Sequence, residues 1–550
     1  MSSSTGGDLV AKSLVANHID TVFGIPGLQL DPLFAGLHDV KEKIRIYHAR
    51  HEQGVALMAF GYAHASGRVG TMMVVPGPGF LNATTGMLTA HACNTPMLCL
   101  VGQSEQKFID SGLGVLHELS NQIGIAESLT KFTARAQNSD ETTALVAQSL
   151  EKVFNGRTRP VYLELPFDVL AAEVQSDVPV IADQSQHCPD IDESKVEQIA
   201  RELASAHLPL IMVGGGASHT GDRVQALAEM LGAPVGMSEN GLGSVDIRHP
   251  QSFSLLGSNK LWGKADYVLG LGTRLFAPVY QWGWDKDMRI SKVDIDGDEL
   301  ARLPIPVNGI QAETRQFLEK LLAILPEYLE DDANRINRHQ ALMQTTREEV
   351  AADLSDLSLP SQILGGIRQV IGDEGVLVCD VTQLNHACLE LLPVHKPRTY
   401  ISSGYQGTLG YGFCTAMGMK IAKPETPVVC LTGDGGFMYA AQELATAVQF
   451  DIPVVVVIIN DGAYKNVEMM LNDNYQGRAT ATRLKNPDFL KFADSFGVQA
   501  RRVDTPQALC EALESLLALN EPAVIDYTID DLPSAFWLRF LPQVRKHRPE

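Results

Sequence analysis

Two acidic residues at the ends of successive apolar runs carry the clearest chemical signal in the chain. Val428 to Leu431 is a short apolar run that meets Gly433-Asp434-Gly435-Gly436. A helical pattern through Glu443, Leu444 and Val448 follows, and a second run, Pro453 to Ile459, ends at Asn460-Asp461-Gly462. Glycines at a strand end let backbone N–H groups approach an anion, and the helix behind them adds its positive end. Asp434 and Asp461 then offer hard oxygen ligands to a magnesium ion that bridges a diphosphate. Gly-Asp-Gly alone would read as a tight turn. The coupling of two motifs across one strand-helix-strand unit points to a metal-diphosphate site.

The elements that must position these residues recur along the chain. Apolar runs at Thr21 to Gly24, Gly70 to Val75, Pro96 to Val101, Pro160 to Leu165, Pro209 to Val213, Tyr267 to Leu271, Gly375 to Cys379, Pro427 to Leu431 and Pro453 to Ile459 alternate with longer amphipathic segments. That rhythm predicts an α/β fold of mainly parallel sheets flanked by helices. Two linker-like stretches, Glu173 to Glu193 and Asp331 to Pro360, divide 550 residues into three domains, placed at 1–175, 190–328 and 355–535. Within the second stretch, residues 334–353 also fit a solvated helix, and their charges read as a surface face.

Composition narrows the function classes. Lys plus Arg number 44 against 65 Asp plus Glu, a net charge of −21, so a nucleic-acid partner is disfavoured. Eight cysteines without a CxxC pair predict reduced thiols rather than zinc or disulfides. No apolar run approaches the ~20 residues of a membrane span, and residues 1–8 lack a signal-peptide pattern. A soluble, cytoplasmic enzyme with no membrane partner is the expectation.

With Gly433-Asp434-Gly435, and Asn460-Asp461 where the family carries Asn-Asn, the chain resembles the thiamine diphosphate-dependent enzymes, the departure at Asp461 adding negative charge beside the metal. The resemblance implies Asp434, Asp461 and the carbonyl of Ala463 as magnesium ligands. It places Gly433, Gly435 and Gly436 around the diphosphate. A second match is Arg50-His51-Glu52-Gln53, where the family's Glu bonds a pyrimidine nitrogen of the cofactor. A carboxyl group there stabilises the imino form that removes the thiazolium C2 proton. The likeness runs through nearly the whole chain and is nearest the acetolactate synthase branch, through Val22 to Gly27, Pro76-Gly77-Pro78-Gly79 with Asn82, Gly102-Gln103 and Gly407 to Gly412. It implies pyrimidine-binding, central and diphosphate-binding domains, in that order. Pro26, Asn82, Gln383, Gly407 and Leu409 would contact the cofactor, with Leu409 as the apolar prop of its bent form. It also implies a homodimer or homotetramer, because Glu52 of one subunit would face the diphosphate held by another.

Departures from that branch shape the expected reaction. His117 in Leu116-His117-Glu118 replaces an amide, Met470 stands where the branch carries Trp, and Leu275-Phe276-Ala277-Pro278 follows Thr273-Arg274 without the branch's carboxylate-binding Arg. The flavin-cradling segment is replaced by Ser258 to Trp262, so FAD is not expected, and Asp294 and Asp296 read as a strand-end turn. His117 is a candidate proton relay or an ordinary loop histidine. Gln103, Glu118 and Lys131 are further site candidates by family position. The expected reaction is decarboxylation of a 2-oxo acid, with release of aldehyde or ligation to a second carbonyl compound. Acetolactate synthesis proper and 2-hydroxyacyl or 1,2-diketone cleavage are the alternatives. From another class, a nucleotide-binding oxidoreductase would use Gly214 to Gly216, although no Gly-x-Gly-x-x-Gly opens a helix there.

Overall fold

A computed structural model describes residues 4–175, 178–184, 188, 190–330, 333–529 and 532–548. Three six-stranded, all-parallel sheets follow one another along the chain. The first comprises β1 (Thr21–Gly24), β2 (Arg45–Tyr47), β3 (Gly70–Val74), β4 (Met97–Gln103), β5 (Thr133–Arg135) and β6 (Val161–Pro166). The second comprises β7 (Pro209–Val213), β8 (Val235–Met237), β9 (Ser252–Phe253), β10 (Tyr267–Leu271), β11 (Arg289–Asp294) and β12 (Asn308–Gln311). The third comprises β13 (Val376–Cys379), β14 (Tyr400–Ile401), β15 (Val428–Gly433), β16 (Val455–Asn460), β17 (Gln499–Val503) and β18 (Ala523–Thr528). Each of the nine apolar runs forms a strand, because β-branched side chains buried on both faces suit a helix-covered parallel sheet.

Strand order is β2-β1-β3-β4-β6-β5 in the first sheet and β14-β13-β15-β16-β18-β17 in the third, the same winding twice. The middle sheet runs β12-β11-β10-β7-β8-β9, the doubly wound order of dinucleotide folds read from the other edge. In the third sheet the winding direction reverses between β13 and β15. Open parallel sheets bind ligands beyond the carboxyl ends of strands at such a switch point. Asp380 follows β13 there and Asp434 follows β15.

The first and third sheets share one core. Phe23, Met72 and Tyr162 belong to the same buried cluster as Val376, Cys430 and Val456. The contact is made by the Glu52–Ser66 and Gly412–Ala422 helices, whose backbones approach too closely for side chains. A Cβ on Gly61 would lie 2.1 Å from the Thr415 carbonyl oxygen, and one on Gly418 would lie 2.0 Å from that of Met58. The Glu52 motif is thereby fixed to the sheet that carries Asp434.

The second linker-like stretch is mostly the 21-residue helix Ala333–Asp353. It is not a bare solvated face: His339, Met343 and Thr346 are buried, and the His339 ring bonds the carbonyls of Gly232 and His207. The first stretch lies partly outside the described residues. Its described part is tied to the first domain, where Asn17 bonds Val180 and Ala182. Among the described residues no helix is long and apolar enough to cross a membrane.

Candidate active site

Register in the third sheet pairs Gly433 with Ile459, so Asp434 and Asp461 leave the sheet side by side at the ends of β15 and β16. Asp434 is buried. Its Oδ1 accepts from the Gly435 N–H at 2.8 Å, and its Oδ2 from the Gly462 N–H at 2.9 Å and the Asn486 amide at 2.6 Å. Burial raises its carboxyl pKa against these donors. Burial, and then the neighbouring Asp434 charge, push Asp461 up to about 6. Two crowded carboxylates with raised proton affinity form a donor set suited to a cation. Ala463 adjoins them, its N–H donating to Asp461 Oδ1 at 3.2 Å. Among the described residues, no group of three or more His, Cys, Asp or Glu side chains is arranged for a metal. A metal here would therefore draw on the two carboxylates, a backbone carbonyl and its ligand's own oxygens.

The glycines give the cradle its shape. A Cβ on Gly435 would lie 2.4 Å from the Tyr464 ring, and one on Gly410 at the same distance from the Tyr439 Cβ, with Gly410 also at φ 78°. Asp380, missed in the sequence reading, ties this loop down. Its Oδ1 accepts from the N–H groups of Val381 (2.7 Å) and Gly410 (3.1 Å), and its Oδ2 from the Gly412 N–H (3.1 Å) and the Thr432 hydroxyl (3.3 Å). The intervening Gly407 lies at φ 57°, Leu409 is half-buried, and Thr408 bonds Thr89 of the first domain at 2.8 Å. Gln383 is buried beyond β13, with its amide nitrogen toward Met469 Sδ and its oxygen accepting from Ser534.

Glu52 opens the Glu52–Ser66 helix, capped by the His51 ring. The Asn82 amide donates to Glu52 Oε2 at 2.9 Å. Among the described residues, no hydrogen bond joins this pair to Asp434 or Asp461. The segment is held instead by Glu443, which is fully buried on the chain following the Asp434 motif and accepts the Arg50 N–H with both oxygens at 3.0 Å.

His117 is brought to the same end of the first sheet. A Cβ on Gly77 would lie 2.5 Å from the His117 carbonyl oxygen, so this turn needs glycine. Gln122 holds the Gly77 N–H at 2.8 Å. Pro26 is exposed on the loop after β1, and Gln103 is buried at the end of β4, its Oε1 accepting from Ser104 N–H. Glu118 is turned back on its own loop, accepting from the N–H groups of Gly112, Gly114 and Val115 and from Ser111. Lys131 donates to the carbonyls of Asn155 and Arg157, and burial lowers its pKa to about 8.

Family comparison agrees with this geometry. The chain matches the N-terminal TPP binding domain of thiamine pyrophosphate enzymes over residues 4–125, their central domain over 196–321 and their C-terminal TPP binding domain over 380–527. It is 32% identical, over 94% of its length and 91% of the relative's, to a probable 2-ketoarginine decarboxylase of Pseudomonas aeruginosa. It is 29% identical to a probable acetolactate synthase large subunit of Methanococcus aeolicus, over 96% of this chain and 92% of that one. With the acetolactate synthase isozyme 3 large subunit of Escherichia coli it shares 28% identity over 96% of each chain. The chain belongs to the thiamine pyrophosphate enzymes.

In this thiamine pyrophosphate enzyme the glycine cradle and the paired carboxylates suit a diphosphate and its cation, and Asn82 occupies only one oxygen of Glu52. The central domain spends its acidic residues elsewhere. Arg157 reaches across from the first domain to Asp294 (3.0 Å), Asp296 (3.3 Å) and Glu299 (3.2 Å). Ser258 and Trp262 lie on a buried helix, Leu255–Trp262, where the indole N–H donates to the Gly283 carbonyl.

Proposed function

We propose that the protein is a thiamine diphosphate- and magnesium-dependent decarboxylase of 2-oxo acids that releases an aldehyde or ligates the acyl unit to an uncharged carbonyl compound. The pair of buried Asp434 and half-buried Asp461 at adjacent strand ends carries the cofactor part of this reading. When bound, thiamine diphosphate would supply a nucleophilic carbon and a thiazolium electron sink for decarboxylation of the 2-oxo acid. Asp434, Asp461 and the Ala463 carbonyl hold the metal. Gly433, Gly435 and Gly436 admit the phosphates, and Leu409 and Gln383 line the cradle. Glu52 holds a proton at a pyrimidine nitrogen, oriented by Asn82. His117 gives or takes a proton at the substrate, and Gln103, near the end of β4, bonds a substrate oxygen.

Acetolactate synthesis would require a second 2-oxo acid whose carboxylate is paired. Where that branch carries Arg, this chain carries buried Leu275 and exposed Phe276, the latter stacked on Tyr280. Arg274 lies over the Tyr405 ring instead, 4.6 Å from its centroid. Leaving a carboxylate unpaired in a desolvated pocket costs on the order of several kcal/mol, so neutral acceptors and protons are favoured. The names of the relatives include both a decarboxylase and acetolactate synthases. We further propose no flavin, because Arg157 engages the acidic residues at the end of β11, and a cytoplasmic homodimer or homotetramer with all eight cysteines free.

A panel of 2-oxo acids, with and without added aldehydes, tests the reading when scored for CO2, free aldehyde and acyloin. CO2 release should vanish on chelation and dialysis and return only with thiamine diphosphate plus Mg2+. Efficient acetolactate formation as the dominant product, or a yellow stoichiometric chromophore, would reject the corresponding part.

A further inference from the structure

We propose that Gln29 is a positioning residue that holds His117 as the Nδ1–H tautomer, leaving Nε2 as the nitrogen that exchanges protons at the substrate. This rests on the proton-relay role given to His117 above. Gln29 lies in the single turn Leu28–Leu30 after β1 and is 4% exposed, a buried amide that must place both of its ends. Its Nε2 donates to the Leu116 carbonyl oxygen at 3.1 Å. A carbonyl has no hydrogen to give, so the amide cannot be flipped without losing this bond. The orientation is therefore set, with nitrogen toward Leu116 and oxygen toward His117.

Gln29 Oε1 lies 3.2 Å from His117 Nδ1. An amide oxygen only accepts, so Nδ1 must carry the hydrogen in the neutral ring as well as in the charged one. The lone pair of the neutral ring is then on Nε2, for which the described residues provide no hydrogen bond. The backbone is fixed as firmly: His117 sits at φ 64°, its carbonyl lies against Gly77, and Gln122 holds the Gly77 N–H. A left-handed conformation costs a non-glycine residue about 1 kcal/mol and persists where its surroundings impose it. Two buried glutamines thus orient the residue, Gln122 through the turn beneath it and Gln29 through the ring. A proton taken from a reacting hydroxyl enters at Nε2, makes the ring cationic and returns through the same atom.

The test is the tautomer itself, read in the full-length holoenzyme labelled with 15N-histidine. Long-range 1H–15N correlation spectra at a pH where the ring is neutral distinguish the two tautomers, and His117→Ala assigns the resonances. Wild-type His117 should show Nδ1–H, and Gln29→Met should move it toward Nε2–H, with kcat falling on the order of tenfold and KM little changed. A wild-type ring protonated on Nε2 overturns the proposal, whether or not the variant folds, and so does a Gln29→Met spectrum that keeps the Nδ1–H pattern. If the tautomer is as stated but His117→Ala leaves turnover and product ratio unchanged, the positioning stands and the relay role is what fails.

Discussion

The proposed role of Glu52 at a pyrimidine nitrogen rests on Asn82 occupying only one of its oxygens; the other lies 3.5 Å from the space a Cβ on Gly79 would fill. Glu52→Gln keeps an oxygen for Asn82 and should leave stability within about 0.5 kcal/mol of wild type. It loses the proton chemistry, so turnover should fall on the order of 100-fold or more. Hydrogen-deuterium exchange at C2 of the bound cofactor should slow in parallel; an unchanged exchange rate would remove Glu52 from the role. Asp380 is a different kind of residue, with four donors on two oxygens and no candidate contact to substrate. In Asp380→Asn one oxygen becomes an NH2 group that faces backbone N–H groups or the Thr432 hydroxyl. Unfolding in urea should show a loss of about 1–3 kcal/mol and a weaker hold on the cofactor; full stability would mean that the Gly410 loop is held by something else. The contrast shows what was legible. Asp434 and Asp461 end apolar runs, so local pattern exposes them. Asp380 also follows such a run, but three of its four partners are 30, 32 and 52 residues further on. Asn486 reaches Asp434 from 52 residues away, and Gln29 reaches His117 from 88, with nothing local to mark either.

At the scale of elements, buried β-branched runs announced nine inner strands, while the edge strands and the inner β8, β11 and β18 lay outside those runs. β17 reads Gln-Ala-Arg-Arg-Val and is largely exposed, and β9 and β14 have two residues each, too few for any periodicity. The Ala333–Asp353 helix was half legible: its charges are plain, but the buried His339 and Thr346 are polar residues whose burial follows only from what they bond. One element contact yields a pH prediction. Glu390, at the end of the Gln383–Leu391 helix, accepts the Leu256 N–H at 2.8 Å and so caps the buried Leu255–Trp262 helix of the central domain. Burial, the leading cause, pushes its carboxyl up to about 7 from 4.5. The folded protein therefore holds this proton through a range where the unfolded chain has lost it. The group's contribution to stability falls as pH rises from the unfolded value toward 7. Unfolding free energies across pH 5 to 8 should decline less steeply in Glu390→Gln than in wild type, Asp461 keeping its own share of the slope in both. Equal slopes in the two proteins would exclude Glu390 as the titrating group.

At the scale of the molecule, the first and third sheets repeat one winding and lock together through glycine-bearing helices, yet among the described residues no hydrogen bond joins Glu52 or Asn82 to Asp434 or Asp461. Exposed apolar side chains flank both halves: Leu28, Leu81 and Leu116 near Pro26, Asn82 and His117, and Met438, Val467 and Met470 near Asp434 and Asp461. In the proposed homodimer a second copy would cover these apolar groups and supply the missing half to each site. A net charge of −21 on each chain opposes that association, so it should strengthen as salt shortens the Debye length to about 8 Å near physiological ionic strength. Sedimentation at low and moderate salt reads this directly. The sharper test mixes two variants that should each be inactive, Glu52→Gln and Asp434→Ala, after reversible dissociation. A hybrid dimer has one doubly damaged site and one site built from the intact Glu52 of one chain and the intact Asp434 of the other. Random pairing makes half of the dimers hybrids, each with one working site of two, so activity should recover to about a quarter of wild type. If each site were instead built within a single chain, every chain in the mixture would carry a damaged site and mixing would restore nothing.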